Sequence, residues 1–260
     1  MNPARYAPLF AAGLLVGTLA FLEIGRRVGL RQAARDGEEA RPGLGAVEGA
    51  IFGLLGLLIA FTFSGAMTRF DQRRHLIVEE SNAIGTAWLR LDLLPPAVQP
   101  ELRELFRRYL DTRLEMYRKL PDIAAAKAER AQGVKLESEI WSRAIAAARA
   151  SDKPQAAVLV VSALNTMIDL ANSETMATKL HPPPIIFVML AILTLTSSFL
   201  AGYAMASRKS HHWIHSVSFA VIIAITVYVI LDIEYPLLGF FRIDATTQTF
   251  MELRQSMSLP

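Results

Sequence analysis

Residues 49–94 pass from one polarity regime to another without a break. Gly49–Thr68 is a run of 20 uncharged residues, and it continues with no Pro or turn signal through Arg69, Phe70, Asp71, Gln72, Arg73 and Arg74 to Leu94, where Pro95 and Pro96 stop it. At about 1.5 Å per residue the uncharged part matches the ~30 Å hydrocarbon core of a bilayer. A buried helix of a soluble protein is rarely apolar on every side for that length. The pattern therefore predicts a helix that spans a membrane and keeps going into water.

Three further runs repeat the membrane signal: Tyr6–Leu22 with 17 uncharged residues, Pro183–Ser207 with 25 and Trp213–Leu231 with 19. Arg5 before the first run also suits a signal peptide, but no clear small-x-small cleavage site precedes Glu23.

Residues 69–182, between the second and third runs, read as amphipathic helix. Leu102, Leu105, Phe106, Tyr109, Leu110, Leu114 and Tyr117 recur at three-to-four spacing among Arg103, Glu104, Arg107, Arg108 and Asp111, and Pro121 closes that helix. Asp122 is placed to cap a second, Ala-rich helix that Gly133 is expected to interrupt before Val134, Ile140, Trp141, Ala144 and Ile145 resume the stripe. Ser151 or Asp152 caps a third, with Pro154 in its first turn and a stripe through Val161, Leu164, Ile168, Ala171 and Thr175; it ends near Leu180, before Pro182-Pro183-Pro184. No β pattern or useful repeat appears. The expected fold class is all-α: one unit over 1–260, with four transmembrane helices at about 6–22, 49–68, 183–207 and 213–231 and an extramembrane helical layer at about 69–182.

Composition changes this picture little. A mean hydropathy of +0.31 and 52% hydrophobic residues average apolar spans with a charged remainder. The pI near 9.3 is a nucleic-acid signal in a soluble protein, but here Arg flanks helix ends as membrane proteins use it, so no nucleic-acid partner is expected. With no Cys there are no disulfides or thiolate metal ligands.

Catalytic patterns are missing: there is no Gly-rich phosphate loop before a Lys, no nucleophile elbow and no paired-His helix with a Glu, so the chain reads as no enzyme and without cofactor. His211, His212 and His215 lie close in sequence, but without a nearby carboxylate they read as interfacial rings beside Trp213 and no metal site is expected.

The second span carries two kinds of surface. Gly49, Gly53, Gly56, Ala60 and Ser64 form a small face that lets another helix approach closely, while Phe52, Leu55, Ile59 and Phe63 form a bulky one, with Leu57 and Phe61 between them. In a single bundle this is ordinary packing. In a symmetric ring, the small face seats each helix on its neighbour and leaves rings of Leu or Phe around a central passage, which gates by dewetting.

Gly53 through Arg90 resembles the second-helix region of the bestrophins, and the whole chain is more closely similar to the bacterial bestrophin-like family. The local pattern is Leu57, Phe61, then Arg69-Phe70-Asp71, then Glu79-Glu80-Ser81-Asn82-Ala83-Ile84-Gly85-Thr86 and Leu89-Arg90-Leu91, closing at Leu94-Pro95. Leu231-Asp232-Ile233-Glu234-Tyr235-Pro236, with Gly239 and Arg242, forms a second matching patch. The resemblance implies a homopentameric ion channel with apolar neck residues one helical turn apart on the second helix and an Arg-aromatic pair two turns beyond. Set by Arg69-Phe70, the neck falls at Gly53, Leu57 and Phe61; Gly53 departs from the apolar pattern, leaving two side-chain rings, and a shifted placement selects Phe63 and Ile59. The acidic calcium loop of animal bestrophins has no counterpart here, so calcium gating does not carry over.

If Phe61 faces a pore, helical spacing also points Gly65, Thr68 or Arg69, Gln72 and Glu79 inward as a mouth or vestibule, a mixture that fixes neither anion nor cation selectivity. Glu79, Glu80 and Arg90 are expected in structural ion pairs between subunits. Asp232 and Glu234 either pair with Arg242 or an interfacial Arg or snorkel at the membrane boundary.

Two arguments about orientation collide. Arg26, Arg27, Arg31, Arg35, Arg41, Arg208 and Lys209 mark one side as cytoplasmic by the positive-inside rule, placing the helical layer outside. The resemblance places that layer and both termini in the cytoplasm, where Arg5, Arg69, Arg73, Arg74, Lys179 and Arg242 flank the spans nearly as densely. The expected protein is a multi-pass channel subunit of the bacterial inner (plasma) membrane, contacting lipid, copies of itself and a permeant ion; the rival is a non-conducting four-span sensor or scaffold that binds a protein through its helical layer. A transporter is the third reading, with no broken span or repeated halves to support it.

Overall fold

The computed structural model describes residues 6–36, 44–206, 213–235 and 244–258. Among the described residues the chain is all-α: α1 (Tyr6–Asp36), α2 (Leu44–Arg90), α3 (Gln99–Arg118), α4 (Ile123–Arg149), α5 (Pro154–Ala177), α6 (Ile185–Met205), α7 (Trp213–Glu234) and α8 (Asp244–Ser256), with a 3-10 turn at Leu91–Leu93. Five helices, α1, α2, α5, α6 and α7, are long and apolar enough to cross a membrane.

The uncharged run at 49–68 and the charged stretch after it form one helix of 47 residues, as the unbroken pattern predicts. Asp122 caps α4 as expected, its Oδ1 accepting from the N–H groups of Ala124 and Ala125 at 3.0 and 3.1 Å. Gly133 does not interrupt α4, which runs unbroken to Arg149. It sits instead where α3 passes closely: a Cβ there would lie 3.2 Å from Thr112 Oγ1 and 3.8 Å from a Tyr109 ring atom. Pro154 starts α5, but the cap residue is Lys153 and has no side-chain bond; the Ser151 hydroxyl accepts from Lys153 N–H at 3.2 Å.

The chain divides into two compact units. One combines Met1–Thr68 with His181–Tyr235, and therefore α1, the first half of α2, α6 and α7. Here α1 lies along α6 with backbones in near contact, because a Cβ on Gly25 would fall 2.0 Å from Phe199 O and one on Gly202 1.9 Å from Leu22 O. Leu14, Leu55, Leu190, Ile223 and Val227 fill the space between these helices.

The second unit combines Arg69–Leu180 with Pro236–Pro260. Its core is larger: Ile84, Leu91, Phe106, Tyr109, Leu110, Ile140, Leu164, Met167 and Phe250 are fully buried, drawn from the second half of α2, the turn after it, α3, α4, α5 and α8. Stacking of Tyr117 on Phe250 at 6.1 Å and bonds from Arg254 to Asp111 at 2.7 and 3.3 Å join α8 to α3.

Candidate functional site

The second helix buries one stripe and presents the other. Leu55, Thr62 and Ala66 are buried in the first unit, and Arg73, Ile77 and Glu80 in the second, at alternating steps of seven and four and then four and three residues. Gly53, Leu57, Phe61, Ser64, Thr68 and Gln72 occupy the uncovered side at steps of three and four. Leu57 and Phe61 stand one turn apart there, 51% and 68% exposed in the single chain.

The small residues lie on the same open side. Gly49, Gly56 and Ala60 are exposed, and a Cβ at Gly49, Gly53 or Gly56 would meet nothing within 4 Å. Among the described residues of one chain, therefore, no helix packs on the small face at Gly49, Gly53 and Gly56. Backbone-close packing falls on Gly25, Gly29 and Gly202 of α1 and α6, positions the sequence pattern did not single out.

The alternative neck placement is split by the packing. Phe63 is 42% exposed, but Ile59 is half-buried against the core of its own unit, and neighbouring Phe52 meets Phe219 edge-on at 6.3 Å. Gly53, Leu57 and Phe61 share one open side; Ile59 and Phe63 do not.

Beyond the apolar part, Thr68 Oγ1 donates to Ser64 O at 2.9 Å, and Gln72 is exposed. Arg69 is half-buried. Glu79 pairs with His75 at 3.1 Å one turn back, and Arg74 with Asp71 at 3.7 Å, both exposed pairs of small energetic weight.

Glu80 faces the interior of its own unit rather than a surface where another subunit could pair with it, and Arg90 bonds within its own chain. Arg90 Nη1 donates to Leu159 O at 2.8 Å. Glu80 is wholly buried in its own unit, where its Oε2 accepts from Arg113 Nη2 at 2.5 Å; that same nitrogen donates to Glu174 Oε2 at 3.3 Å. Tyr117 Oη donates to Glu174 Oε1 at 3.1 Å, and Tyr109 Oη lies 3.4 Å from Glu80 Oε1. Burial, joined by the negative charge of Glu174, pushes the Glu80 carboxyl up to about 7 against the pull of Arg113. Burial likewise raises Glu137, Tyr109 and Tyr117. Arg113 stays charged because the carboxylates beside it outweigh its desolvation.

These buried groups were missed by the sequence reading, although a signal existed. Arg113 follows Tyr109 by four and Phe106 by seven, so it sits on the apolar stripe of α3 rather than on its charged face. Arg73 was read as a flanking charge, yet it is buried and donates from Nε to Ala177 O at 3.1 Å and from Nη2 to Leu180 O at 2.9 Å, satisfying carbonyls at the end of α5.

At the end of α7, Asp232 and Glu234 are buried rather than snorkelling. His181 Nδ1 lies 3.0 Å from Glu234 Oε1, with its ring 4.5 Å from that of Tyr235. Arg242, Gly239, Pro236, His211 and His212 fall outside the described residues. Among the described residues, no group of three or more His, Asp or Glu is arranged to hold a metal ion.

No curated protein matches the chain. Among solved structures, two crystal structures of a bacterial bestrophin homolog from Klebsiella pneumoniae, each carrying a single substitution, align with TM-scores of 0.66 at 14% identity. The first covers 95% of this chain and 98% of its own, the second 94% and 97%. A third structure, of a membrane protein, aligns at 13% identity with the same TM-score over 94% of this chain and 98% of that one. At such identity the likeness establishes a shared fold. The family model of the bestrophin-like domain matches residues 12–248, nearly the whole sequence, and the chain is therefore a multi-pass membrane protein that belongs to the bestrophin-like family.

Proposed function

We propose that this protein is a subunit of a homo-oligomeric, pentameric ion channel of the bacterial inner membrane, with α2 lining the passage. The observation that carries the reading is the open side of α2, where apolar Leu57 and Phe61 are followed by polar Ser64, Thr68 and Gln72. Lipid contact alone accounts for exposed Leu and Phe. It does not account for the exposed Gly49, Gly53 and Gly56, whose bare backbone suits a second helix at close range. Seated on one another by that face, copies of α2 bring Leu57 and Phe61 into stacked rings, with Gly53 adding no side chain, and a narrow apolar constriction resists ion passage by excluding water. Thr68, Arg69, Gln72 and Glu79 then line the mouth.

In this reading α1, the first half of α2, α6 and α7 span the membrane, and α5 belongs to the extramembrane layer despite its length. Its buried side carries Glu174 against Arg113, and its exposed side carries Asn165 bonded to Asp169 at 2.8 Å, polar groups on both faces that hydrocarbon would penalise.

A non-conducting scaffold is the second reading. It is favoured by an apolar groove between α4 and α5, lined by Trp141, Ile145, Val158 and Val161. Native mass spectrometry of the detergent-solubilised protein, followed by ion flux from reconstituted liposomes, separates the two. A pentamer with flux supports the channel; a monomer or dimer without flux removes it.

A further inference from the structure

The cluster around Arg113 is unbalanced in charge. Glu80 comes from α2, Arg113, Tyr109 and Tyr117 from α3, Glu137 from α4 and Glu174 from α5, and α8 contributes the uncharged ring of Phe250, 5.9 Å from the guanidinium. All four charged residues are at most 9% exposed: Glu80 0%, Glu174 3%, Arg113 4% and Glu137 9%. Arg130 also acts on Glu137. One guanidinium nitrogen serves both Glu80 and Glu174, while Arg113 Nε has no hydrogen-bond partner. A second buried negative charge on that one nitrogen is paid for neither by Coulomb attraction nor by added hydrogen bonds, and a buried group in that position takes up a proton instead.

We propose that the Glu80–Arg113–Glu174 cluster holds one exchangeable proton between its two carboxyls, which meet on a single Arg113 nitrogen, and that its release loosens the attachment of α2 to α3 and α5. Glu80 is the member on the long helix, so the charge that changes falls between α2 and α5, with Arg113 of α3 facing both. With one carboxyl protonated, Arg113 neutralises the other, and the carboxyl of Glu80 stays within reach of Arg113 and the Tyr109 hydroxyl. With both carboxyls ionised, Glu137 adds to their mutual repulsion, and Glu80 and Glu174 compete for one Arg113 nitrogen.

The sign follows from linkage. The Glu80 carboxyl binds its proton more tightly in the fold, at about 7, than at the ordinary 4.5, so the fold is favoured by protonation. That contribution is full below about 4.5 and is lost as pH rises through about 7. The raised Glu137 acts in the same direction. The device is independent of whether the protein conducts ions.

The test follows the full-length protein in detergent from pH 5 to pH 8, by thermal unfolding and by infrared absorption of protonated carboxyl groups. For the native sequence the apparent Tm is expected to fall by several degrees across this range, and a protonated-carboxyl band present at the acid end is expected to vanish with a midpoint near neutrality. Glu80→Gln should remove that band and most of the Tm change; His75 and His181 remain in both proteins, so the difference belongs to the cluster. Glu174→Gln, which removes the competing charge, should move the midpoint to lower pH. If Glu80→Gln fails to fold, the native titration and the Glu174→Gln shift still decide. No carboxyl band titrating near neutrality, or a Tm profile unchanged by Glu80→Gln, overturns the proposal.

Discussion

The carbonyl oxygen of Phe199 lies 2.0 Å from where a Cβ on Gly25 would stand, so α1 and α6 meet there backbone to backbone. Gly13, on the same helix, has nothing within 4 Å of that point. The same substitution should therefore have opposite consequences at the two sites. Gly25→Ala forces the helices apart and should cost about 1–3 kcal/mol as overpacking, while Gly13→Ala should leave the apparent Tm unchanged or slightly raised by better helix propensity. Equal Tm values for the two variants would mean that α1 and α6 do not pack through Gly25.

Arg73 is the second anchor to test. Its side chain is buried and bonds to Ala177 O and Leu180 O across a sequence gap of about a hundred residues. Hydrogen bonds from a charged group are worth about 1.5–3 kcal/mol each, so Arg73→Ala should lower the Tm clearly, and hydrogen exchange near the end of α5 should accelerate. Arg73→Lys keeps the charge but loses the fork and should fall between the two. Exchange at 174–180 unchanged in Arg73→Ala would place the stabilising role elsewhere.

The elements that the sequence revealed are those whose pattern is local. Uncharged runs gave α1, α2, α6 and α7 because a span needs little beyond composition, and the 3.6-residue stripe located α3 from Leu102 to Tyr117. Gly133 misled because a glycine that ends a helix and one that admits a neighbour look alike; the Thr112 and Tyr109 side chains that explain it lie on another helix. The sequence suggests a subunit contact for Glu80 because its partner Arg113 is 33 positions away, and Arg113 in turn bonds to Glu174 61 positions further on; ion pairing over such distances has no periodic trace. On α2, Leu57 and Phe61 are exposed in the single chain and Leu55 is buried, while Phe63, grouped with Leu55 by spacing, is exposed. What covers that open side lies outside the contacts of the single chain.

The small face of α2 makes a prediction about assembly. Gly56 is exposed and a Cβ there would meet nothing within 4 Å among the described residues, so Gly56→Leu should leave the monomer fold and membrane insertion intact. If that face seats the neighbouring α2, the added side chain prevents close approach and the oligomer should be lost. Native mass spectrometry reads this directly. An intact pentamer in Gly56→Leu would refute the packing role.

Phe61 offers the sharpest test of the passage itself. A buried Phe→Ala change costs about 3–5 kcal/mol, but Phe61 is 68% exposed within its chain, so truncation should cost much less if the residue borders an open passage. Removing the ring widens the constriction and admits water, lowering the desolvation barrier that an ion meets there. Phe61→Ala should therefore raise ion flux in reconstituted liposomes with little change in Tm, and Leu57→Ala should do so to a smaller extent. Ile192→Ala serves as the control, because Ile192 is 58% exposed on α6, a helix that takes no part in the proposed neck. Flux that rises equally in the control would point to leakiness from general loosening. Unchanged flux in Phe61→Ala together with marked destabilisation would assign Phe61 to packing between subunits, and the neck would then have to lie on another face of α2.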